Sequence, residues 1–238
     1  MSTSQELSNK NANLFKMLVL VFMPLTAVSA VAYLFLPLVG ALLYDVATIL
    51  LLVGMYSYSR NSEHVNAFLL VAVLFIVGMG LLTVAATYAT LYPYQFSPSS
   101  SLSSTVNQVG TLEQGAGIHI VGMGVPALFA GLFMALGAYF FSEWFNDAVD
   151  KEGSFKTFSY FGIIFFTAEL IVFLGYEMLQ GTIVATIRES TFGANTLALS
   201  VSNYIILFGS LLVLVAFLVE AYAGFQVYKK LSSSSFHN

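Results

Sequence analysis

Asp45, Glu169, Glu177 and Glu220 interrupt long apolar stretches of a 238-residue chain that is only 8% charged. A carboxylate at bilayer depth costs roughly 2.5–3.5 kcal/mol on insertion scales, so each of these acids needs a physical reason. Glu177 lies near one end of its stretch, within reach of the interface, and Asp45 about two turns from an end. Glu169 is the deepest, and Glu220 stands about 13 Å from Lys229 by helical rise. No basic residue lies at comparable depth to pair with them. A carboxyl so placed is expected to be neutral and to donate a hydrogen bond to a neighbouring helix, to Asn203, Tyr222 or Thr167. The competing reading is a proton or cation relay through Glu169 and Glu220, with Asp45 as a further member. Helical rise sets the two glutamates about 6 Å apart in depth on consecutive antiparallel helices.

Other chemistries lack their residues. There is no cysteine, hence no disulfide, thiolate metal site or cysteine nucleophile. The three histidines, His64, His119 and His237, cannot supply facing haem ligands or a multinuclear metal site. His119 with Glu113 gives at most two metal ligands, one of them from a loop. No phosphate-binding loop, Gly-X-Ser-X-Gly or His-Glu-X-X-His motif occurs. Asp45 is the lone aspartate within a span, so paired-aspartate chemistry is out. No basic block exists to grip nucleic acid. The expectation is a protein that is not an enzyme and needs no cofactor or metal.

The elements that must position the acids are six apolar runs: 14–37, 41–59, 66–92, 117–142, 157–184 and 199–228. About 20 apolar residues cross the roughly 30 Å hydrocarbon core of a bilayer as a helix. Runs this long and uniformly apolar are not barrel strands. The fold class is therefore all-α, a polytopic six-helix transmembrane bundle, with residues 1–13 and 229–238 as tails. Pro37-Leu38-Val39-Gly40 is expected to turn the first hairpin. Ala27-Val28-Ser29-Ala30 has the small residues of a signal cleavage site, but the apolar run continues beyond it, which favours an uncleaved first helix.

Lys10, Lys16, Arg60, Lys151, Lys156, Lys229 and Lys230 fall on one side of these spans and Arg188 alone on the other. That bias places both termini in the cytoplasm. Tyr56, Tyr58, Tyr139, Trp144, Tyr160, Tyr222 and Tyr228 would then form the inner aromatic belt, and Tyr33, Tyr44, Tyr88, Tyr92, Tyr94 and Tyr204 the outer one. Outside lie a Ser-rich loop, 93–116, and the segment 185–198. Inside, 143–156 reads either as the solvated end of helix 4 with a turn at Gly153, or as a docking surface.

Two glycine patterns suggest close helix packing. Ile76-Val77-Gly78-Met79-Gly80 recurs as Ile120-Val121-Gly122-Met123-Gly124, and Ala127, Gly131 and Ala135 continue a small-residue stripe. Small residues let membrane helices approach closely, so a tight contact between helices 3 and 4 is expected; a backbone-lined constriction is the alternative. Pro24 and Pro126 are positioned to kink helices 1 and 4. The even-numbered spans also end alike, at Gly54-X-Tyr56-X-Tyr58, Gly137-X-Tyr139-X-Phe141 and Gly224-Phe225-X-X-Tyr228, each followed by a charge. This is compatible with three parallel helical-hairpin repeats.

These hairpin ends, the low charge and the Ser-rich segments resemble uncharacterised multi-pass membrane proteins of thermoacidophilic archaea. Residues 131–175, with Ala135-Leu136-Gly137-Ala138-Tyr139-Phe140-Phe141 leading into a loop and back, carry most of the likeness. The resemblance implies an archaeal cell membrane and transfers no activity. The leading expectation is a non-enzymatic subunit of a larger membrane assembly, in contact with lipid and with other membrane subunits or copies of itself. A small proton- or cation-coupled transporter or channel is the alternative.

The topology is directly testable, because the chain has no native cysteine. Single cysteines at Ser100 and Ser154 should label from outside intact cells at position 100 only. Labelling at 154 alone would reverse the orientation.

Overall fold

The computed structural model describes residues 3–60, 62–91, 120–150, 154–189 and 196–234, with side chains at 3–8, 183–189, 196–200 and 234 left undescribed. The helices are α1 (Thr3–Phe35), α2 (Pro37–Ser59), α3 (Val65–Leu91), α4 (Val125–Ala148, entered through a π-helical turn at Ile120–Gly124), α5 (Thr157–Glu189) and α6 (Thr196–Ser234). Six stretches within them are long and apolar enough to cross a membrane. This is the architecture of a multi-pass membrane protein, in which each helix satisfies its own backbone in hydrocarbon. The Ser-rich loop, His119, His237, the side chains of Arg188 and Glu189, and the turn at Gly153 lie outside the described residues.

Prolines set two boundaries. Leu36 alone breaks α1 from α2, with φ −139° and ψ 76°, and Pro37 opens α2. The ring of Pro37 bars Leu36 from helical geometry, while its own fixed φ suits a first helical position. The first hairpin therefore turns at Leu36, and 37–40, expected as the turn, is already helix. Pro126 lies in the first turn of α4, directly after the π turn. A proline lacks an N–H and crowds the carbonyl four residues back, here Gly122, so the wider winding opens where the ordinary bond cannot form. Pro24 lies within a continuous α1.

Each helix packs against its neighbours in sequence, and α1 packs against α6, closing a ring. Aromatic side chains fill the centre. Phe15 of α1 meets Trp144 of α4 edge-on at 5.9 Å between centroids. Phe22 meets Phe158 of α5 at 6.3 Å, and Tyr44 of α2 stacks on Phe217 of α6 at 4.7 Å. Phe165 continues this stack at 5.5 Å from Phe217. Two residues assigned from sequence to interfacial belts thus belong to the core: Trp144 and Tyr44 are fully buried, whereas Tyr56, Tyr139, Tyr160, Tyr204 and Tyr222 point outward. Trp144 is held there by a hydrogen bond donated to Ser59 Oγ at 3.0 Å.

Close backbone approach draws the ring tight. A Cβ on Gly40 would collide with the backbone of Tyr33, and one on Gly162 would stand 2.7 Å from Ala135 Cα. One on Gly209 would meet Val172 Cγ2 at 2.6 Å. The three glycines of the span-end pattern share one task, leaving room for a ring: Gly54 for Phe15, Gly137 for Phe75 and Gly224 for Phe22.

The end of the bundle that carries both termini is tied together by polar contacts. The helix of α4 runs on to Ala148, leaving Glu143 and Asp147 exposed. Asp150 turns inward, is buried, and pairs with Lys230 of α6. Ser154 donates to Asp150 at 3.2 Å. Asn146 brackets the same connection, donating to Phe155 O at 3.1 Å and accepting from Phe155 N at 3.0 Å. Lys16 lies over the Tyr228 ring at 5.2 Å. The described residues of the 143–156 connection therefore tie onto α6 through Asp150 and Ser154 as well as forming a solvated helix end.

Replacing Gly40 or Gly162 by Ala should destabilise the protein by about 1–3 kcal/mol, because the obstacle is backbone. Gly78→Ala, opposed by the flexible Met134 side chain, should cost less, and Gly80→Ala, with nothing within 4 Å, should stay within about 0.5 kcal/mol. Thermal unfolding in one detergent ranks the four.

Candidate functional site

Three of the four acids singled out in the sequence are drawn into the bundle, each at a different place. Asp45, half-buried between α2 and α3, accepts a hydrogen bond from Thr83 Oγ1 at 2.7 Å. Glu220 of α6 is fully buried and accepts one from the Tyr44 hydroxyl at 3.0 Å. Glu169 of α5, also buried, packs on α4 where Gly131 leaves space: a Cβ there would meet Glu169 Cβ at 3.3 Å. Glu177 is exposed at the bundle surface. Asp45 Oδ1, Glu169 Oε1 and Glu220 Oε2 are all buried without a hydrogen-bond partner among the described residues.

Glu169 and Glu220 do not meet. Gly175 lies against Ile206, and Gly209 against Val172. That antiparallel register sets Glu169 opposite the region of Leu212, roughly 12 Å along the axis from Glu220 at 1.5 Å per residue. The shorter separation expected from span boundaries fails because α6 is slid along α5 relative to those boundaries, as the Gly175–Ile206 and Gly209–Val172 contacts show. The expected donors also differ. Thr167 bonds to Ile163 O of its own helix at 2.8 Å, and Tyr222 is exposed.

The best-built polar group surrounds Glu220. Besides Tyr44, whose hydroxyl also lies 3.9 Å from Met134 Sδ, it includes Thr48, one turn along α2 and beside the same phenol. Thr48 is completely buried and its hydroxyl has no partner in hydrogen-bonding geometry among the described residues. On α1, Thr26 is likewise buried with an unpartnered hydroxyl. Gly224 packs on Phe22 and Met23, and Gly40 on Tyr33, so two seams independently bring Thr26 level with Glu220 and with the Tyr44–Thr48 turn.

The glycines expected at the contact of helices 3 and 4 divide. Gly78 faces Met134 of α4 and Gly122 faces Tyr88 of α3, so both line that seam, but about ten residues apart along α3. Gly124 is buried in the π turn. Gly131 serves α5 instead, through Phe166 Cα at 3.2 Å and Glu169. Gly80 is corrected: it faces outward and takes no part in a contact between described helices. Sequence reasoning missed Tyr44, Thr48 and Gly40. Their spacing at i, i+4 and i+8 on α2 was the available signal, since it puts a small residue, a phenol and a hydroxyl on one face.

Among the described residues no three His, Cys, Asp or Glu side chains converge on a point where a metal could sit. A wholly apolar groove on α1 is lined by Ala27, Val28, Val31, Ala32, Phe35 and Leu36.

Tyr44→Phe removes the donor to Glu220 and leaves a fully buried carboxyl unsatisfied, a loss of about 1–3 kcal/mol. Thr83→Val should lose less, because Asp45 is only half-buried. Thermal unfolding of the two variants checks the order. Comparison with protein-family models, with curated proteins and with solved structures finds no match for this chain.

Proposed function

We propose that this chain is a non-enzymatic integral protein of the cell membrane that acts as a structural or assembly subunit of a larger membrane complex. The observation that carries the reading is the dispersal of the buried acids. They sit at separate places around a centre filled by aromatic rings: Asp45 on Thr83 of α3, Glu220 on Tyr44 of α2, and Glu169 against α4 at Gly131. A transporter that relays ions through carboxylates needs them on one path. The apolar outer face, with its groove on α1, offers area for lipid and for other membrane subunits or further copies of the chain. Cytoplasmic termini and an archaeal membrane complete the proposal.

A second reading, a small proton- or cation-coupled transporter using Glu169, Glu220 and Asp45, draws support from the oxygen that each of these acids leaves unpartnered. Gentle solubilisation followed by native mass spectrometry separates the two. The subunit reading expects a fixed-stoichiometry complex or homo-oligomer, no dissipation of a pH gradient in proteoliposomes, and a nearly silent Glu169→Gln. A monomer whose proton flux disappears in Glu169→Gln or Glu220→Gln would replace it with the transporter.

A further inference from the structure

Three completely buried residues from three helices, Glu220, Thr48 and Thr26, each hold an oxygen with no hydrogen-bond partner among the described residues, and the Tyr44 hydroxyl stands beside two of them. Orphaned polar atoms of this kind are rare in close-packed interiors, and each costs free energy unless something satisfies it. Their chemistry is uniform: one carboxylate, two aliphatic hydroxyls and a phenol, all hard oxygen donors. Oxygens that share an ion point their lone pairs at it rather than at one another, and the free oxygens of Glu220 and Thr48 make no hydrogen bond to each other here.

We propose that Glu220, Tyr44, Thr48 and Thr26 enclose one dehydrated alkali-metal cation of sodium size, which ties α1, α2 and α6 together. Charge selects the valence. The group offers a single formal negative charge with no basic side chain at its depth, so a monovalent ion leaves the site neutral. A divalent one would leave a net charge in low dielectric. Tyr44 is hemmed in by Phe217, 4.7 Å away between ring centroids, and by Met134 Sδ, 3.9 Å from its hydroxyl, and such close neighbours favour sodium over the larger potassium. This site is structural and stands whether or not the chain belongs to a larger assembly.

The test is thermal unfolding of the purified full-length protein in sodium, potassium or choline chloride at equal ionic strength. The expected result is a Tm about 3–6 °C higher in sodium than in choline, with a smaller rise in potassium. In Glu220→Gln the sodium-dependent difference should vanish. In Thr48→Val, which keeps shape, the sodium concentration at half-effect should rise about tenfold. Equal Tm values for the wild type in all three salts would overturn the site, as would a sodium shift that survives Glu220→Gln. The wild-type comparison needs no variant to fold.

Discussion

Close approach of helix backbones is the constraint on which this structure rests. Lipid is as apolar as the side chains it meets, so burial against it provides little reason for helices to associate. What remains is van der Waals contact, and that grows as axes come together. Gly40 against the Tyr33 backbone, Gly162 against Ala135 and Gly209 against Val172 draw successive helices together around the ring. Once the ring is that tight, its centre is narrow enough for single aromatic rings to fill, from Phe15 and Trp144 at one end to Phe217 and Tyr44 further along.

The buried acids follow from the same geometry. A carboxyl within such a bundle survives only where a neighbouring helix offers a donor or room. Tyr44 gives Glu220 a donor, Thr83 gives Asp45 one, and Gly131 gives Glu169 room. The arrangement places one polar pair across the α2–α3 seam and another across the interior of the ring, from Tyr44 of α2 to Glu220 of α6, where each specifies which faces must turn inward. Such pairs contribute register more than stability, since their desolvation offsets much of what they gain.

The end that carries the termini is held differently. Asp150 pairs with Lys230, Asn146 clamps Phe155, and Lys16 covers Tyr228, so the connection after α4 and the last turns of α6 form one polar layer over the aromatic core. Charged and amide groups suit this position because water and headgroups are near, whereas the seams deeper in the bundle use glycine and aromatic contacts.

The sequence by itself determined the six spans and the all-helical class, because hydrocarbon permits no other way to satisfy a long apolar backbone. It also flagged Glu169, Glu220 and Asp45 as residues in need of partners, since a carboxyl in an apolar run is conspicuous in one dimension. The partners were not legible. Tyr44 reads as an interfacial tyrosine until the ring closes and sets α6 across the centre from α2, and Trp144 reads the same way until α1 stands across from α4. Nor was the gap of about 12 Å between Glu169 and Glu220 legible, because hydropathy fixes where a helix crosses a membrane to within a few residues and leaves its slide against a neighbour open. That slide is set by which glycine receives which side chain, as at Gly175 with Ile206 and Gly209 with Val172, and it exists only once two helices are in contact. The same reason removes Gly80 from the packing: its letters match those of Gly78, but two residues turn it through most of a half-circle, and only the position of α4 decides which face is inside.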